Sequence, residues 1–364
     1  MPAERATRDP VPDNAAQSST VALRIWLLTI AALVFAMIVV GGATRLTDSG
    51  LSITEWQPIL GAIPPLNDAD WQDAFEKYKT IPEYHLVNKN MSLEDFQFIY
   101  WWEWAHRFLG RFIGLAFALP LAVFWLSGRI PKGYAPKLLG ILALGGLQGF
   151  IGWYMVQSGL TERVDVSHYR LALHLTTAFA ILALILWIAC DLADEGANGP
   201  IRLHTLTTSQ NRIAWSILAL LFLQVVVGAF VAGLKAGLVH NTWPLMNGAF
   251  VPADLLELEP WFLNFSENPA TVQFIHRLLA YLLIALALWH TFSVASNADD
   301  ERVVTSSRVL VAAFAAQAAL GVVTLLQAAN AAEIPIYLGL AHQGGGALVL
   351  AIAVWHTHRM IRAA

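Results

Sequence analysis

The chain of 364 residues is 57% hydrophobic and only 13% charged, with 14 tryptophans, an apolar content above that of soluble domains. Its formal net charge of −4 offers no basic face for nucleic acid. The single cysteine, Cys190, excludes an intrachain disulfide and a thiolate-held metal cluster, so any metal chemistry must rest on other ligands.

Residues 1–20 are polar and mix Glu4, Asp9 and Asp13 with Arg5 and Arg8, unlike a signal or transit peptide, and are expected to form a disordered cytoplasmic tail. Apolar runs of roughly twenty residues follow, the length a helix needs to cross about 30 Å of hydrocarbon. They fall at 21–44, 106–127, 136–157, 170–190, 212–234, 272–293, 307–329 and 336–356. The expected fold is an all-α integral membrane protein whose eight transmembrane helices form two pseudo-twofold-related four-helix bundles, 21–192 and 211–359. The connection 127–137 carries Arg129, Lys132 and Lys137 with no acid, which places it in the cytoplasm. Alternation then sends the acidic segments 55–97 and 235–271 outside and leaves both termini inside, Arg359 and Arg362 included.

The halves resemble one another. GATRLTDSGLSITEWQPILGAIPP from Gly42 matches GAFVAGLKAGLVHNTWPLMNGAFVP from Gly228 in GL, W, P and GA within one residue of register. WAHRFLGRFIGLA around His106 matches FIHRLLAYLLIAL around His276, and LQGFIG at Gln148 matches AQAALG at Gln317, with nearly the same offset along the chain. Duplication of a four-span unit keeps both copies in one orientation.

Four of the 11 histidines, His106, His174, His276 and His342, are expected in the first turns of the even-numbered helices, which all start from the outer face. Counted to the cytoplasmic helix ends they stand roughly 21 to 31 Å from the inner side at 1.5 Å per residue, and so occupy one layer in the outer half of the bilayer. The spacing from His106 to His174 is close to that from His276 to His342, which lets each bundle point two imidazoles at one another. That is the arrangement bis-histidine haem ligation needs. Zinc suits such a site poorly, because it takes three or four ligands. Arg107, Arg277 and, one turn below Arg107, Arg111 carry forks suited to haem propionates, although an interfacial arginine also snorkels for reasons unrelated to a ligand. His85 and His240 in outer segments, His204 in an inner loop, His290, His356 and His358 at cytoplasmic helix ends, and His168 just outside His174 are given no ligand role; interfacial placement is expected for the first six. Gln148 and Gln317 are read as interhelical hydrogen-bonding residues.

The halves differ at one chemically telling position. Glu103 stands three residues before His106, where the second half has Gln273 before His276. A carboxylate beside an apolar haem site can act as a general base or hold a water; the alternative is a helix-end acid paired with Arg107. The first outer segment, from Trp56 to His106, is also longer than its counterpart from Trp243 to His276, by enough for a lid over that site.

The ordered set GATRLTDSGLSITEWQP, EWAHR, YRLALH, HNTWPLMNG, FIHR and LAHQ resembles the haem A synthase family of bacterial and mitochondrial membranes, from Val21 almost to the end of the chain. The resemblance implies an enzyme that oxidises the C8 methyl of haem O by successive hydroxylation to the formyl group of haem A, for use in terminal oxidases. It implies that His276 and His342 ligate a haem b cofactor. It also implies that His106 and His174 face the substrate haem iron, with Glu103, His106 and His174 as the catalytic set. Haem O synthase (protohaem farnesyltransferase), an unidentified electron acceptor or donor and the lipid bilayer are the implied partners. Some members carry cysteine pairs in outer loops; the lone Cys190 fits the cysteine-free proteobacterial and mitochondrial branch, and the absence of a transit segment favours a bacterial inner membrane. A diheme b-type cytochrome that only transfers electrons would use the same four histidines without needing Glu103. A repeat-built transporter would instead break its helices at the midplane, which the outer histidine layer argues against.

Overall fold

The computed structural model describes residues 14–57, 59–160, 164–196, 208–298, 300–331 and 333–362. The tail at 1–13 and His204 lie outside them. Eight long helices carry the chain: α1 (Asn14–Leu46), α2 (Leu93–Leu126), α3 (Ala135–Gln157), α4 (His168–Gly196), α5 (Thr208–Gly233), α6 (Pro269–Asn297), α7 (Glu301–Ala331) and α8 (Ile336–Arg362). Each is long and apolar enough to cross a membrane, and the chain is a multi-pass membrane protein. Within hydrocarbon only a helix satisfies its backbone polar groups from its own residues, which is why these runs adopt no other form.

Two helix starts differ from the expectation. Residues 14–20, read as disordered tail, already belong to α1. The second helix does not begin at His106 but well before it, at Leu93. Ser92 starts it with a capping box: its hydroxyl accepts the Asp95 N–H at 3.1 Å, and the Asp95 carboxylate accepts the Ser92 N–H at 3.3 Å. The added turns stay helical because Phe96, Ile99 and Tyr100 pack against Phe75, Tyr78 and Ile81 of the first outer segment, whose helix Asp68–Tyr78 folds over them. His106 therefore sits mid-helix, while His174, His276 and His342 lie in the second turns of α4, α6 and α8.

Helix α1 packs on α2 and α4, with α3 between α2 and α4; α5 packs on α6 and α8, with α7 between α6 and α8. The two groups meet where α8 touches α1 and α4 and where α4 touches α5. Arg45 ties them further through a hydrogen bond to the Ala232 carbonyl. The main buried core draws on all eight helices, with Leu27, Phe117, Leu138, Ile185, Ile217, Leu283, Leu310 and Leu350 among its members in chain order. Beyond the histidine pairs, toward the α2–α3 connection, the helices thus close on one another. Leu115, Leu119, Val123 and Leu126, about one turn apart on α2, remain exposed and form the face for lipid.

The histidines at the ends of α6 and α8, expected at a membrane interface, are not interfacial. His290, His356 and His358 are buried, because α6 and α8 remain packed to their ends. His290 Nε2 lies 2.9 Å from His356 Nε2, His356 Nδ1 lies 2.9 Å from Ser306 Oγ, and His358 Nε2 lies 2.9 Å from Asp191 Oδ1. His240 is also buried, held by Asp254 at 2.9 Å, whereas His85 is exposed as expected.

Candidate functional site

The four layer histidines meet in two pairs. The His106 and His174 ring centroids are 6.5 Å apart, and so are those of His276 and His342. A metal bound at about 2.1 Å from an imidazole nitrogen lies about 3.2 Å from the ring centroid. Two imidazoles on opposite sides of one iron therefore place their centroids about 6.4 Å apart. Both pairs have the separation that a six-coordinate haem iron requires. Their interplanar angles, 62° and 71°, keep the rings from stacking on one another. All four side chains point between helices yet are only half-buried, so each borders open space. Among the described residues, Nδ1 of His106, His174 and His276 is buried without a hydrogen-bonding partner.

A glycine seats each ring. A Cβ on Gly41 would come within 2.9 Å of His106 Cε1, and one on Gly152 within 3.0 Å of His174 Cε1. The same holds for Gly228 and His276 at 3.0 Å, and for Gly321 and His342 at 2.8 Å. Each odd helix thus offers bare backbone to the histidine of the helix that follows it. Glutamines fix three of the ligand helices: Gln148, Gln224 and Gln317 donate Nε2–H to the carbonyls of His174, His276 and His342 at 2.9, 3.1 and 2.7 Å. The interhelical role read for Gln148 and Gln317 is the one they have. Gln224 and the four glycines were missed, although a Q-x3-G pattern recurs in the sequence on α3, α5 and α7.

Glu103 is buried and fully engaged. Its Oε1 accepts from Arg107 Nε at 3.1 Å and Nη2 at 2.6 Å; its Oε2 accepts from Ser52 Oγ and from the Ile53 N–H, both at 2.7 Å. Both carboxylate oxygens are thus occupied, one of them by a charge-assisted fork. Arg107 also donates to the carbonyls of Ile53 and Glu55 at 2.8 and 3.2 Å. In the other half Arg277 holds the carbonyls of His240 and Thr242 at 2.8 and 2.9 Å, and Gln273 donates to the His240 carbonyl at 3.0 Å. The two arginines do the same work: each clamps two carbonyls, two residues apart, in the segment leaving the preceding odd helix. Arg111 donates to the Gln57 carbonyl at 3.0 Å, and its counterpart Tyr281 accepts from Trp243 Nε1 at 3.0 Å. The first outer segment is anchored on Glu103, one turn before His106, through Ser52 and Ile53, and packs on the start of α2 through Phe75, Tyr78 and Ile81.

Residues 24–354 match the family described as cytochrome oxidase assembly protein. Among curated relatives, "Heme A synthase" of Parvibaculum lavamentivorans is 49% identical over 341 residues, covering 94% of this chain and 95% of the relative. The protein of the same name in Allorhizobium ampelinum is 49% identical over 355 residues, 96% of this chain and 95% of its own length. That of Brucella ovis is 50% identical over 334 residues, 92% and 90% of the two chains. With paired, glycine-seated histidines in a multi-pass helical frame and this likeness along nearly its whole length, the chain belongs to the haem A synthase family of cytochrome oxidase assembly proteins.

Proposed function

We infer that the chain is the enzyme that converts haem O to haem A by oxidising a porphyrin methyl to a formyl group. The observation that carries this reading is a duplicated bis-histidine geometry, 6.5 Å between ring centroids in each half, with a carboxylate, Glu103, three residues before His106 where the second half has Gln273 before His276. Two similar haem sites of which one alone has an acid suit a division into substrate site and electron-transfer site. The unit 21–192 then takes substrate haem O between His106 and His174, and the unit 211–359, its pseudo-twofold partner, takes haem b between His276 and His342. Haem b, when bound, supplies one-electron transfer.

Glu103 has two tasks in this scheme. It brings a carboxylate next to the reacting porphyrin, and it holds Ser52 and Ile53 so that the outer segment excludes bulk water. Acting as a base requires one of its four donors to yield, and the Ser52 hydroxyl, free to rotate, is the donor best able to do so. Arg107, Arg111 and Arg277, which hold carbonyls of the two segments leaving α1 and α5, bring guanidinium charge to the end of each bundle where haem propionates would lie. The C8 methyl as target, delivery by haem O synthase, exchange of electrons with a separate redox partner and a bacterial inner-membrane location with both termini in the cytoplasm complete the proposal. Support for that orientation comes from Arg129, Lys132 and Lys137 in the α2–α3 connection.

The test is haem extraction with mass identification from the purified protein, together with conversion by a Glu103→Gln variant. The second half already accommodates glutamine at this place as Gln273. The variant is therefore expected to fold and to keep haem b while conversion falls about a hundredfold or more, the scale of a lost acid–base or electrostatic group. Haem b alone in the wild-type protein, with no conversion of haem O, would make the chain an electron-transfer cytochrome instead. Undiminished conversion by the variant would remove Glu103 from the chemistry.

A further inference from the structure

The four ligand helices are held in a common way, with one exception. Gln148, Gln224 and Gln317 each stand four residues before the glycine that seats a histidine. Besides bonding the histidine carbonyl, each places Nε2 within 3.5, 3.4 and 3.1 Å of a ring nitrogen of His174, His276 and His342. The residue one turn beyond each histidine is small, Ala178, Ala280 and Gly346, and a Cβ on Gly346 would stand 3.7 Å from Gln317 Nε2. On α1 the matching position, four before Gly41, is Met37, and one turn beyond His106 stands Gly110. The Met37 Cε lies 3.3 Å from where a Cβ would stand on Gly110. Met37 therefore occupies the place of the glutamines and has no hydrogen to donate.

We propose that Met37 is a positioning residue that leaves the His106 ligand loosely held, so that porphyrin between His106 and His174 can enter and leave while haem between His276 and His342 stays. The proposal rests on the functional reading above and adds the device that makes one site exchangeable. An amide bonded to the carbonyl of a ligating histidine fixes that residue's backbone and ring direction before metal binding, as outer-shell partners of metal ligands do. A thioether fills the same volume with a flexible chain and no directional bond. The second half has two amide-held ligands, Gln224 on His276 and Gln317 on His342; the first half has one, Gln148 on His174. A product must depart, and the ligand without its amide is the one that gives way.

The test measures haem loss from the full-length protein in lipid nanodiscs to excess apomyoglobin, with extracted haems identified by mass. Wild type is expected to lose haem O and haem A faster than haem b. Met37→Gln is expected to slow loss of the substrate-type haems about five- to tenfold, the scale of one net hydrogen bond, and to raise their share in purified protein, with haem b loss unchanged. Gln317→Met is expected to speed haem b loss by a similar factor, and Met37→Leu to match wild type. A Met37→Gln protein that retains haem b yet releases substrate-type haem at the wild-type rate overturns the proposal. Should that variant not fold, Gln148→Met decides: faster loss of substrate-type haem with steady haem b supports the scheme, and no change overturns it. Wild-type protein holding haem b alone in both halves overturns the functional reading itself.

Discussion

Gly321→Ala is the sharpest probe of the histidine seats. The added methyl would stand 2.8 Å from His342 Cε1 and 3.4 Å from Nδ1, whereas carbon atoms in contact prefer about 3.5 to 4.0 Å. The ring has to retreat by about 0.7 Å or more, while ligand bonds tolerate about 0.2 Å. Overpacking of this kind costs about 1–3 kcal/mol, which is about 5- to 150-fold in haem affinity if the strain falls on the ligand. Replacing glycine inside a helix otherwise favours the fold by about 1 kcal/mol. Loss of haem without loss of helix is therefore the expected signature. The assay is haem b per protein by reduced-minus-oxidised spectra and extraction, alongside helicity by circular dichroism. Gly140→Ala, which meets nothing within 4 Å, serves as the control and should change neither quantity. Full haem b content with an unshifted spectrum in Gly321→Ala would refute the reasoning, because the seat could then not be what sets the ring.

Gly41→Ala, whose methyl would meet His106 Cε1 at 2.9 Å, should deplete substrate-type haem and spare haem b, read by the same extraction. Glu83, buried in the short helix Pro82–Leu86 outside the membrane spans, has its carboxyl pushed up to about 8, first by burial and then by the charge of Glu103. Its folded value lies above its unfolded one, so the outer segment is most stable at low pH and loses stability as pH rises from about 4.5 through about 8. Hydrogen exchange of residues 68–86 across that range should show the loosening, and Glu83→Gln should abolish it; an unchanged pH profile in the variant counts against burial as the cause. Asp191 binds Lys137, His358 and Arg362 at 3.1, 2.9 and 2.8 Å. Asp191→Ala leaves His358 and Arg362 only their longer contacts to Asp194, at 3.8 and 3.7 Å, and should cost about 2–3 kcal/mol, less than a fully buried pair because Lys137 and Arg362 are half-exposed. A thermal melt in detergent that does not move would contradict this account.

The number of spans and the pairing of the histidines were legible because hydrocarbon imposes a minimum helix length on the sequence and the duplicated spacing sets each pair. The outward extension of α2 was not, since its first turns are acidic and aromatic and gain helix only by packing on Phe75, Tyr78 and Ile81, which belong to a separate outer helix and the turn after it. Burial of His290, His356 and His358 was hidden for a related reason. Ser306 stands 50 positions from His356, and Asp191 stands 167 from His358. The glycine seats were written in the sequence, four residues after a glutamine in three cases. Glycine is frequent in membrane helices, however, and the pattern acquires meaning only once the facing histidine is known.

The divergence between the halves is concentrated rather than spread. Hairpins α3–α4 and α7–α8 keep the same parts, glutamine, glycine and histidine, and so does α5–α6. The chemically significant exchanges fall in α1–α2 and the segment joining them: Met37 for glutamine, Glu103 for Gln273 and Arg111 for Tyr281. All three lie close to His106: Glu103 three residues before it and Arg111 five after it on α2, and Met37 against Gly110, one turn beyond it. A duplicated haem carrier whose copies both kept their cofactor would have no reason to loosen one ligand, put an acid next to it and carry a longer outer segment before it. A copy that had to admit a porphyrin, react with it and let it go would need all three. Transplanting Gln, Gln and Tyr together into positions 37, 103 and 111 should therefore turn the first half into a second permanent haem b site, with two b-type haems per chain by extraction; a chain that still holds one would show that the difference lies elsewhere.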